Sequence, residues 1–181
     1  MLTQVTLRCV RVWYRAPLEA RQAGTNSEGH MSPLSQLFKT GFAPMDEDHR
    51  ELARYIGQLV DSIQSGNIDD VRAGTGVLIE KVAAHFAHEE QLMGEHAFSQ
   101  LARHKEAHDM FLADLGRFQA DLMQNGLTRS FRTWALGPLG EWFRFHIMRN
   151  DVTLGHFLLS RQRAAEQKRL ARSTPIPRKL S

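Results

Sequence analysis

Cysteine is almost missing from this chain: Cys9 stands alone. A single thiol can close no intrachain disulfide and cannot assemble the Cys-rich tetrahedra of zinc fingers. Long apolar runs are missing as well, because charged or polar residues interrupt every stretch before the ~18 residues that a membrane span needs. Strand-like alternation and repeats at a solenoid period are also lacking. Together these absences point to a soluble protein of a reducing, cytoplasmic compartment. The composition, 42% hydrophobic and 24% charged, is that of an ordinary globular chain.

Charge is present but unevenly placed. The net +3 conceals a basic C-terminal tail, residues 160–181, in which seven Lys and Arg residues face Glu166 alone. That segment carries a net +6 and leaves −3 for the remainder, so nothing in the body suggests nucleic-acid binding. The tail reads as solvated, although RQRAAEQKRLAR could extend the last helix toward an acidic partner.

Residues 1–40 lack a sustained period and read as an N-terminal extension, disordered or partly ordered. TNSEGHMSP (25–33) forms a polar boundary within it, and Met31 offers an alternative start. From there on the helical period dominates. It predicts four segments over roughly 45–64, 69–94, 98–124 and 128–159. Leu52, Ile56, Leu59 and Ile63 mark the buried stripe of the first; Leu101, His104, His108, Phe111, Leu115, Phe118 and Leu122 mark that of the third. SGNIDD (65–70) offers an aspartate cap for the second helix, and NGLT (125–128) separates the last two. Gly94, Gly137 with Pro138, and Gly155 are expected kinks or ends. Short links between long helices predict an all-α, antiparallel up-and-down four-helix bundle over residues 41–159.

What the chain has in excess is histidine. Five of its nine histidines crowd into HFAHEEQLMGEHAFSQLARHKEAH (85–108) together with four glutamates. Residues four apart share a helix face and can reach one ion. His85 and Glu89 form HxxxE, and His104 with His108 forms HxxxH. His146 and Asp151 form HxxxxD, a five-residue step that places Asp151 on the flank of the His146 face, and His49 stands alone in MDEDHREL. Each helix thus offers a donor on a face that also carries core residues. Burying so many polar groups without a partner would cost about 1–3 kcal/mol for each, so the pattern predicts a metal site in the bundle core. His30, His88, His96 and His156 fit no pairing and read as solvated or locally hydrogen-bonded. A zinc protease is excluded, because HKEAH has lysine where HExxH needs glutamate and HEEQL lacks the second histidine.

Imidazole and carboxylate donors without thiolate suit iron, manganese or zinc. Seven donors exceed one octahedral ion, whereas two ions sharing two carboxylates use them well. Five histidines, two bridging carboxylates and a bridging oxide or hydroxide fill all but one position of two octahedral ions. An odd number of histidines therefore implies an asymmetric pair with one vacancy. Neutral imidazoles also favour Fe(II) over the high-valent states that anionic oxygen donors support, which makes reversible O2 binding more plausible than substrate oxidation.

The ordered set of a lone His, HxxxE, HxxxH and HxxxxD resembles the hemerythrin family, and the bacterial hemerythrins in particular, over about residues 42–159. The resemblance implies two iron ions, oxo- or hydroxo-bridged. His104, His108 and His146 would complete one iron, His49 and His85 would serve the O2-binding iron, and Glu89 and Asp151 would bridge them. It also implies an O2 pocket lined by Leu52, Phe86, Trp142 and Ile147, and a role in oxygen storage, delivery or sensing. Redox enzymes acting on peroxide, nitric oxide or Fe(II), and a sensor signalling through its ends, are the alternatives.

Overall fold

The structure, a computed structural model, describes residues 39–173. Expectations for residues 1–38, Met31 included, and for 174–181 lie outside the described residues. Three long helices come first: α1 Ala43–Ser65, α2 Ile68–Glu95 and α3 Leu101–Asn125. The fourth leg is assembled from α4 Arg129–Ala135, α5 Pro138–His146, a π-helical turn Ile147–Asp151 and α6 Val152–Ser173. Among the described residues there is no strand, and no helix is long and apolar enough to cross a membrane.

The helix ends follow from local chemistry. Gly66, at φ 77°, closes α1 in the left-handed region that a side chain disfavours. The cap of α2 is Asn67, not an aspartate of SGNIDD; its side chain accepts the backbone N–H groups of Asp69 and Asp70, which leaves those aspartates in the first turn. Gly137 and Pro138 break the fourth leg as expected.

Gly155 does not break it. It lies buried within α6, and an added Cβ would come 2.7 Å from Thr40 Cβ and 3.0 Å from Thr40 O. Thr40 itself is pinned: its N–H and hydroxyl donate to Asp46 Oδ1 at 2.7 and 2.8 Å, while Gly41 N–H donates to Oδ2 at 3.2 Å. The missing side chain lets the strap before α1 lie directly on α6. Gly155→Ala should therefore lower unfolding stability by about 1–3 kcal/mol in urea melts; an unchanged midpoint would show that the strap yields freely.

The apolar stripes meet in two layers. The larger contains Leu52, Leu59, Leu78, Phe111, Leu115 and Ile147; the smaller contains Phe42, Met45, Met93, Phe98, Leu154 and Leu158. Along the chain, α1 runs from the small layer to the large, α2 returns, α3 repeats the first direction and the last leg returns again. That alternation is the up-and-down topology. In each leg the step between layers is occupied by buried donors: His49, then His85 and Glu89, then His104 and His108, then His146 and Asp151. Burying each large apolar side chain favours folding by about 1.5–3 kcal/mol, so the two layers hold the polar one in register.

Beyond the bundle, α6 runs on to Ser173 and does not stop near 159, and every residue from Ser160 to Ser173 is exposed. Spaced arginines, alanines and an Arg169–Glu166 pair with bonds of 2.8 and 2.9 Å favour helix there.

Candidate metal centre

The seven donors named from the sequence converge. His49, His85, Glu89, His104, His108, His146 and Asp151 are all 0–6% exposed, and they form two overlapping sets. Glu89, His104, His108, His146 and Asp151 make one; His49, His85, Glu89 and Asp151 make the other, with ligand atoms within 4.8 Å of one another in each. Glu89 and Asp151 belong to both.

The two oxygens of each carboxylate are divided between the sets. Asp151 Oδ1 lies 3.0 Å from His104 Nε2 and 3.1 Å from His146 Nε2, while Oδ2 lies 3.3 Å from His49 Nε2. Glu89 Oε2 lies 3.2 Å from His108 Nε2, and Oε1 lies 3.7 Å from His85 Nε2. On an ideal α-helix, five residues would rotate Asp151 about 140° away from His146. The π turn removes that offset: Val152 N–H bonds back to Ile147 O, an i→i+5 link that carries Asp151 round to the His146 side. The flanking position expected for Asp151 is thus corrected to a facing one.

None of the four carboxylate oxygens has a partner in hydrogen-bond geometry despite the nearby nitrogens. Two buried carboxylates with unsatisfied oxygens, ringed by imidazole nitrogens, form a donor set that positive ions would complete. Without ions, the same groups share protons. Burial presses His104 toward neutrality, but Asp151 and Glu89 outweigh it and raise its pKa to about 9. Burial holds His146 down, against Asp151, with the neighbouring His104 and His108 adding to the effect. Burial would lift both carboxyls, yet the surrounding histidines bring Glu89 below its ordinary value and Asp151 well below.

The outer nitrogens of two donors meet polar groups that the motifs alone do not single out. His108 Nδ1 lies 3.2 Å from Glu90 Oε1, and His146 Nδ1 lies 2.9 Å from the Asn150 amide. Asp48 Oδ2 stands 3.6 Å from His85 Nδ1 and 2.9 Å from His88 Nδ1. Glu90 and Asn150 stand close enough to fix which nitrogen of His108 and His146 faces a metal, whereas Asp48 is bonded to His88 and only adjoins His85. His85 is the largest influence on Asp48; with His88 it outweighs burial and holds that carboxyl at about 2. Asp48, Glu90 and Asn150 each adjoin a donor in the chain, which is the signal that could have found them. His88 is accordingly bonded across helices, whereas His156 is exposed.

Apolar walls surround the donors. Phe86 stacks on His108 at 3.8 Å, and Trp142 stacks on His146 at 4.5 Å and on Phe111 at 3.6 Å. Trp142 therefore flanks the three-histidine set, whereas Phe86 reaches both sets, its ring lying 5.6 Å from that of His85. Leu52 shares a pocket with His85, and Ile147 is fully buried beside His146.

The hemerythrin HHE cation-binding domain matches this sequence over residues 40–157. The chain belongs to the hemerythrin family. It is 29% identical over 98 residues to a hemerythrin of Themiste dyscrita, covering 53% of this chain and 80% of that one. It is 31% identical over 106 residues to a bacteriohemerythrin of Methylococcus capsulatus, covering 55% and 79%. A crystal structure of a hemerythrin point mutant superposes with a TM-score of 0.62 at 22% identity, covering 72% of this chain and 98% of its own, which establishes the shared bundle fold. The hemerythrin match and the convergent donors occupy the same part of the chain.

Proposed function

We propose that the centre holds two iron ions and binds O2 reversibly, serving oxygen storage, delivery or sensing in the cytoplasm. The observation that carries this reading is the division of each carboxylate between two histidine sets, one of three and one of two. Glu89 and Asp151 would bridge the ions, His104, His108 and His146 would complete one, and His49 with His85 would leave the other a free position. When bound, the iron pair supplies the redox chemistry of reversible O2 binding.

The chain's own residues set the conditions. Five neutral imidazoles against two carboxylates favour the reduced metal, and Glu90 and Asn150 orient two of the rings from behind. Leu52, Phe86, Trp142 and Ile147 would line the O2 pocket. Residues 41–159 would constitute the binding module. The exposed basic stretch 160–173 would stand clear of it, available to an acidic partner.

Full-length protein loaded anaerobically with Fe(II), exposed to air and then degassed should show a visible absorption band that appears with O2 and fades without it. Irreversible conversion without such a band, or rapid turnover of peroxide, nitric oxide or excess Fe(II), would favour a redox enzyme.

A further inference from the structure

The seven donors are closed to solvent, yet ions have to reach them. Between α1 and α2 lies a pocket of about 240 Å³ whose lining includes Asp48, Glu51, Leu52, Lys81, His85 and His88. Of the seven donors only His85 lines it. The His85 side chain is 2% exposed; its Nε2 belongs to the buried centre, while its Nδ1 has no hydrogen-bond partner. Asp48 Oδ2 stands 3.6 Å from that nitrogen, too far for a hydrogen bond.

The remaining lining groups form a second, shallower donor set. Asp48 Oδ2 meets His88 Nδ1 at 2.9 Å. Glu51 Oε1 receives Tyr55 hydroxyl at 3.2 Å and Lys81 Nζ at 3.3 Å. Asp48, Glu51 and His88 are all partly exposed, so they can exchange water for an ion without unfolding the bundle. Carboxylates and imidazole suit the same borderline cations as the centre itself. A charged lining is a poor path for an apolar gas and a good one for a hydrated cation.

Building on the reading of the centre as a metal site, we infer that this pocket is its loading port: Asp48, Glu51 and His88 capture a divalent cation and pass it inward past His85. Lys81 opposes the capture, because its ammonium already occupies the Glu51 carboxylate. The two charges therefore predict effects of opposite sign.

The test uses the metal-free full chain, mixed anaerobically with Fe(II) and quenched with a chelator at successive times to count iron bound. A protein combining Asp48→Asn and Glu51→Gln should load about tenfold or more slowly, as expected when local charge no longer concentrates the ion. It should reach the same final iron content with an unaltered spectrum, and Lys81→Met should load faster than the wild type. Wild-type rates in both proteins would overturn the port. A lowered final content at an unchanged rate would also overturn it, making Asp48 a support for His85. A wild-type chain that takes up no iron would defeat the centre itself, which keeps the two failures apart.

Discussion

Asp151→Ala is expected to purify as a folded protein that has lost its iron pair, with affinity reduced by more than roughly a hundredfold, beyond what loss of a ligand's hydrogen-bond partner produces. The reason is geometric. Asp151 contributes one oxygen toward His104 and His146 and the other toward His49, so one substitution removes a donor from both sets at once. Glu89→Ala should act in the same way, since its oxygens also serve both sets. His96→Ala, outside the cluster, should retain the wild-type content. Metal analysis after anaerobic loading measures all three. The metal-free proteins should keep the same order: Asp151→Ala loses the carboxylate that faces His104 and His146, so it should be less stable than the metal-free wild type. A variant retaining two ions would defeat the bridging role. A metal-free variant as stable as the wild type would show that Asp151 does not hold a proton on His104.

The contrast between Asp151 and its neighbours shows where the sequence was readable. Helical period and short links indicated four legs, because the apolar stripes of α1 and α3 fall on one face without tertiary help. The donors were legible for a related reason: histidines and carboxylates repeated at helical spacing on a core face are costly to bury unless an ion holds them. The π turn was not legible, since inserting one residue into a helical ladder is decided by what the donor must face and leaves no signature in the period. Gly155 read as a weak point because a glycine at close packing and a glycine at a break look alike in sequence; only Thr40 opposite distinguishes them. Asn67 lost to the aspartates beside it because a shift of two residues in a helix start changes the capping residue. Asp48 and Glu90 were hidden for a further reason: their contacts run across helices, to groups that no spacing in their own segment names, whereas Asn150 stands four residues after His146.

Metal and proton compete for the same histidines, and the expected consequence is a stability gap that widens with pH. In the metal-free folded chain His104 keeps its proton up to about pH 9, against a value of 6.5 for the free side chain. That raised value stabilises the metal-free fold fully below 6.5, and the contribution is lost as pH climbs toward 9. The shift corresponds to something on the order of 3 kcal/mol. The metal-loaded fold holds His104 neutral, so on this group's account its stability rises with pH up to 6.5 and is flat above. Thermal melts of loaded and metal-free protein should therefore diverge steadily from pH 6 to 9. Over the same window the apparent affinity for Fe(II) should rise about tenfold per pH unit, because each binding event expels the His104 proton, and it should level off beyond. The dependence should weaken in His104→Gln, although that variant also loses a donor; a constant gap in the wild type would show that no proton resides in the empty cluster. Acid should release iron by the same competition, because a histidine must be neutral to bind a metal.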